Sequence, residues 1–162
     1  MKNSWSAVVV TVGFLLFGVA APVLGQAPDV STSTDPSFKQ GLQAYFQGNY
    51  TEARDHFQNA VEQRPDHVRY QFFLANTFSR LKQDTQAIQG YKSVLKQDPE
   101  HDSARERLAD LYYEQKQWEQ AIPLYRKLLN SGGSDVDIRF RLARSLFETD
   151  QHDGAQKHFL EV

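Results

Sequence analysis

Residues 74–99, LANTFSRLKQDTQAIQGYKSVLKQDP, carry two apolar stripes separated by a short polar break. Leu74, Ala75, Phe78 and Leu81 fall at i, i+1, i+4 and i+7, which is one face of an α-helix. Beyond Lys82-Gln83-Asp84, residues Ala87, Ile88, Tyr91, Val94 and Leu95 make a second such face. The stretch predicts two short helices joined by a tight turn. Pro99 closes it, because the residue before a proline avoids helical dihedrals.

Moving outward by 34 residues at a time recovers the same features. Ala53, Ala87, Ala121 and Ala155 are in step, and four residues beyond each stands an aromatic: Phe57, Tyr91, Tyr125 and Phe159. Twelve residues before each alanine stands a tiny residue: Gly41, Ala75, Ala109 and Ala143. Pro65 and Pro99 are also 34 apart. The small residues have a packing reason, since helix axes in contact lie ~8–10 Å apart according to side-chain size. The aromatic one turn further on fills the wedge where the helices diverge.

At these columns the chain resembles the tetratricopeptide repeat family, with its small eighth residue, Ala at the twentieth, aromatic at the twenty-fourth and Pro at the thirty-second. The resemblance implies an all-α helical solenoid, a right-handed superhelix of helix-turn-helix pairs with about three and a half to four repeats. The repeats run approximately 34–67, 68–101, 102–135 and 136–162, the last incomplete, within a domain of 36–162. The third unit has Ser131-Gly132-Gly133-Ser134 in place of proline, a looser turn. Pro123 is expected near the first turn of its helix, where a missing amide is tolerable. In the first unit Gln40 and Ala44 take core-face positions, which suits an end repeat. The fourth unit stops inside its second helix. The resemblance leaves that helix to fray, to be covered by another chain, or to mark a fragment of something longer.

The first 25 residues differ in kind from the rest. Lys2 precedes an apolar run from Ala7 to Ala21, Pro22 follows, and Val23-Leu24-Gly25 suits a leader peptidase. This reads as a signal peptide, 1–25, cut after Gly25, with Ala27 the alternative and an uncleaved anchor the competing reading. The run falls short of the ~20 residues a spanning helix needs, so no stable membrane insertion is expected after cleavage. An exported chain, periplasmic or extracellular, follows. Residues 26–35, QAPDVSTSTD, cannot bury enough surface to order themselves and read as a flexible linker. Asp35-Pro36 then suits a helix start.

Lys plus Arg is 18 against Asp plus Glu of 20, a net charge of −2. That balance lacks the footprint of a nucleic-acid binder. The absence of cysteine removes disulfides, thiolate metal sites and a cysteine nucleophile. His67 and His101 occupy the same place in successive turns and read as surface residues, and no histidine pair has metal-binding spacing. No serine elbow or phosphate-cradling glycine cluster occurs. Asn49-Tyr50-Thr51 fits a glycosylation sequon, which matters only in a eukaryotic secretory pathway. No cofactor, metal or catalytic residue is expected, and the chain does not read as an enzyme.

The resemblance implies that the first helix of each unit lines a concave groove. Its inward positions hold Phe38, Lys39, Leu42, Phe72, Phe73, Asn76, Arg80, Arg107, Tyr113, Phe140, Arg141 and Arg144. Aromatics beside arginines are enriched where interfaces concentrate their energy. The competing reading packs the phenylalanines between adjacent first helices and leaves the basic residues solvated. The family's clamp for chaperone tails is not reproduced: only Asn76 and Arg141 fit it, while Phe72, Arg107 and Asp137 stand at its other positions. An exported adaptor that holds a protein or peptide segment, of unknown identity, is the function expected. Alternatives are a docking arm of a larger envelope assembly or secretion factor, and a structural element self-associating through its C-terminal half-repeat.

Overall fold

A computed structural model describes residues 35–132 and 136–162; the leader 1–25, residues 26–34 of the linker, and Gly133-Ser134 lie outside them. The described residues form eight α-helices: α1 (Pro36–Phe46), α2 (Tyr50–Gln63), α3 (Val68–Arg80), α4 (Asp84–Gln97), α5 (Asp102–Glu114), α6 (Trp118–Asn130), α7 (Val136–Glu148) and α8 (His152–Leu160). Each helix packs chiefly on the ones before and after it. The array begins as its sequence demands, with the Asp35 carboxylate accepting from the Ser37 amide at 2.7 Å and Pro36 in the first turn.

The turn inside each repeat is one structure used four times. Gly48, Lys82, Lys116 and Asp150, each 34 residues after the last, have φ of 84°, 59°, 58° and 59°. The residue after each donates its amide back to the third-last helical carbonyl: Asn49 to Ala44, Gln83 to Phe78, Gln117 to Tyr112 and Gln151 to Leu146, at 2.8–2.9 Å. This six-to-one bond, with the five-to-two bonds beside it, satisfies carbonyls that a helix end otherwise leaves bare. Between repeats proline does the stopping: Arg64 and Asp98, just before Pro65 and Pro99, leave the helical region at ψ 78° and 88°. Those turns are clipped down by a side chain at one repeated position. Gln71 donates to the Pro65 carbonyl and Arg105 to that of Pro99. Arg105 also holds Asp102 and is only 2% exposed.

The small-residue columns are buried as expected: Ala53, Ala75, Ala87, Ala109, Ala121, Ala143 and Ala155 are all at most 1% exposed. The buried hydrophobic residues fall mainly into two clusters. Phe38, Ala44, Ala53, Phe57, Ala60 and Tyr70 make the first, and Ala75 onward the second, so the division falls inside α3.

Three expectations are corrected. Gln40 is exposed: among the described residues no helix precedes α1 to cover that face. Pro123 lies in the second turn of α6, not the first, because the helix already starts at Trp118. His67 and His101 are half-buried N-cap residues: the His101 Nδ1 accepts from the Ala104 amide at 3.2 Å, and His67 stacks on Tyr70 at 3.8 Å.

Candidate functional site

A concavity of about 590 Å³ opens between α3 and α5, with Tyr45 and Tyr50 at one end. Four of the expected groove residues line it: Phe72, Asn76 and Arg80 from α3, and Arg107 from α5. The helical period sets this face. Phe72, Asn76 and Arg80 are four apart, as are Glu106, Asp110 and Glu114 on the opposite wall. The half-buried Phe72 ring rests on Tyr91 at 6.1 Å and His101 at 4.7 Å, leaving its outer side to the groove. The Arg80 guanidinium sits 5.8 Å over the Tyr50 ring.

Two hydroxyls brace the walls from behind. The Tyr91 hydroxyl donates to Asn76 Oδ1 at 2.6 Å, and the Tyr125 hydroxyl to Asp110 Oδ1 at 3.0 Å. Each pair spans 15 residues, joining the ninth position of a first helix to the aromatic column of the second. Burial pushes both phenols above their ordinary range; the Arg107 charge opposes this at Tyr91, while the Asp110 carboxylate adds to it at Tyr125. Where the aromatic column holds Phe57 or Phe159, the ninth position holds Leu42 or Arg144, which cannot accept such a bond. This matching was present in the sequence and marks the polar floor of the groove.

The other expected residues divide. Phe38 is a correction: it is fully buried, wedged between Phe57 at 5.4 Å and Tyr70 at 4.4 Å, and so cannot meet a ligand. Phe73 is half-buried and packs against the same core, on Phe38, Phe57 and Tyr45 at 5.5, 5.7 and 6.1 Å. Leu42 packs against the same cluster, whereas Lys39 is exposed. For the first unit, packing between first helices therefore prevails over the groove. Arg141 is not free either, since it donates to Asp110. Burial works against its charge, but that carboxylate and the Tyr125 hydroxyl more than compensate and hold its pKa up. Tyr113 lies under Arg141 and Arg144, each 6.0 Å from its ring, and Arg144 also reaches Glu148 at 3.7 Å. Phe140 is 45% exposed and edges onto Phe159 at 5.8 Å. Of the basic residues expected in the groove, Arg141 is therefore already engaged by a carboxylate of the chain itself.

Sequence reasoning left out Tyr50, Ser79, Lys82, Asp84, Ser103, Leu111 and Glu114, which also line it. No group of three or more metal-ligating side chains gathers among the described residues, and none of their helices is long and apolar enough to cross a membrane.

Two models of the tetratricopeptide repeat family match the chain, over residues 38–102 and 85–135. No curated protein matches it. Solved structures with a similar fold include a MamA RS-1 ArsTM double mutant, at 15% identity, with 77% of this chain and 70% of that one covered and a TM-score of 0.73. A MamA AMB-1 crystal form is similar at 18% identity, covering 77% and 68% of the two chains, with a TM-score of 0.72. MamA 41-end from Desulfovibrio magneticus RS-1 is similar at 15% identity, covering 77% and 71%, with a TM-score of 0.72.

Proposed function

Because the chain belongs to the tetratricopeptide repeat family, we propose that it is an exported, non-catalytic adaptor that holds an extended segment of another protein between α3 and α5. The observation that carries this reading is the concavity itself. It gathers Phe72, Tyr45, Tyr50, Arg80 and Arg107, aromatic and arginine side chains of the kinds enriched at interfaces, on rigid helices. Its volume suits a few residues of an extended chain rather than a whole helix. Export rests on the leader-like composition of residues 1–25.

Photo-crosslinking tests the groove. A photoreactive side chain at Ser79 or Ser103, which line the concavity, captures the partner; one at the exposed Gln89 on α4 does not. Capture from Gln89 alone moves the site to the other face. Cell fractionation with N-terminal sequencing tests export: the exported form begins at Gln26, and Met1 retained on membrane-bound protein overturns cleavage. A second reading, self-association through the last repeat, is supported by the exposure of Phe147, Phe159 and Leu160 at 55%, 41% and 80%. Sedimentation at two concentrations decides it: a monomer at both removes self-association.

A further inference from the structure

The seams between successive first helices use the same two positions three times, with different residues. Between α5 and α7 the pair is Asp110 and Arg141, joined by a hydrogen-bonded ion pair. Thirty-four residues earlier, between α3 and α5, the same positions hold Asn76 and Arg107. Earlier still they hold Leu42 and Phe73, both packed into the first cluster. The tyrosine behind is common to the last two seams, since Tyr91 bonds Asn76 as Tyr125 bonds Asp110. Only the carboxylate is missing. Arg107 is exposed, lines the concavity and lies near enough to Tyr91 for its charge to act on that hydroxyl. Asn76 and Arg107 together thus form a copy of the Asp110–Arg141 seam with its acid removed.

We propose that the partner supplies that acid: the groove takes an extended peptide that places one Asp or Glu side chain between Asn76 and Arg107, with an apolar residue against Phe72. The inference rests on the groove reading above and narrows it to a ligand chemistry. A guanidinium recognises a carboxylate through two parallel hydrogen bonds, and Asn76 adds an amide beside it. Glu106 and Glu114 line the same concavity, so a run of acidic residues meets like charge there. The fit is to a single acid flanked by apolar or basic residues.

The test uses acetylated, amidated peptides of sequence Leu-Ala-Xaa-Ala-Lys, with Xaa as Glu, Gln or Lys, titrated by NMR against residues 26–162. Glu should bind at least ~10-fold more tightly than Gln, the order expected of one charge-assisted contact. R107Q should abolish that preference. N76D should also abolish it and raise the melting temperature, because the new carboxylate captures Arg107 as Asp110 captures Arg141. Equal affinity for the Glu and Gln peptides, including no binding of either, overturns the proposal, as does a preference that survives R107Q. F72A separates the two readings. If it weakens both peptides equally while Glu and Gln are not distinguished, the groove stands and the carboxylate reading falls; if it changes nothing while the peptides still bind, the groove reading itself is wrong.

Discussion

Gly90→Ala puts the helix spacing beneath the groove to a quantitative test. Gly90 lies inside α4, and a Cβ built there would stand 2.7 Å from the Ala75 Cβ and 3.3 Å from its Cα. Carbon atoms in good contact sit ~3.5–4.0 Å apart, so α3 and α4 must part locally by about 1 Å. The neighbours of these two residues are Tyr91 and Asn76, whose hydrogen bond is 2.6 Å long. An added ångström takes it past the useful range. Replacing glycine inside a helix by alanine gains ~1 kcal/mol of propensity. Overpacking costs ~1–3 kcal/mol, and the lost hydrogen bond ~1 kcal/mol. The net expectation is a loss of about 1–3 kcal/mol, read from urea unfolding followed by circular dichroism. Ala75→Gly removes the nearest atom, so the double variant should be more stable than the two single losses summed would allow, by ~1 kcal/mol or more. A Gly90→Ala protein stabilised by the full propensity gain would refute the close approach, and with it the placement of Asn76 on the groove floor.

Gly48→Ala should cost ~1–2 kcal/mol although nothing lies within 4 Å of the new Cβ, because the whole penalty is the left-handed φ of 84°; Lys82→Gly at the equivalent turn should be neutral or stabilising, and thermal melts of the pair check both signs. Tyr125→Phe removes the hydroxyl bond to Asp110 and should cost about 1.5 kcal/mol by chemical denaturation, with less effect once Arg141 has also been replaced. Burial holds the His158 imidazole below its ordinary pKa of 6.5, so the fold prefers the neutral ring. Its contribution is present above that value and lost as pH falls through the lower folded one. Melting temperatures at about pH 7.5 and 5 should therefore differ more in the parent than in His158→Gln.

The repeat was legible because packing imposes it in every unit: a helix crossing needs a small residue wherever it occurs, and Ala87 and Ala121 meet the same demand. The groove was legible only in part, because its residues answer to partners that the repeat does not fix. Phe38 and Phe72 share a register position, yet Phe38 is sealed by Tyr70 and Phe57, whereas Phe72 keeps one side open. Gly41 contributes to that seal, since it leaves the space that the Phe57 ring occupies; a Cβ there would come within 2.6 Å of the ring. Arg107 and Arg141 also share a position, and Asp110 against Asn76 decides which of them is held. A register alone cannot weigh such a difference. Arg105 carried no sequence signal at all: an arginine among polar residues reads as solvated until the Pro99 carbonyl and Asp102 are seen to enclose it.

The division of the core inside α3 has a consequence for how the protein comes apart. Tyr70 belongs to the first cluster and Ala75 to the second, on one helix. In a linear array, stability is a sum of units and the interfaces between neighbours. Loss of α1 and α2 would strip Tyr70 and Phe73 of their cover but leave Ala75, Phe72 and Asn76 packed on α4 and α5. Amide exchange should then be graded along the single helix α3, with faster opening near Tyr70 and slower opening from Ala75 onward. The polypeptide can thus lose its first repeat to solvent, a protease or a competing chain while the floor of the groove stays folded.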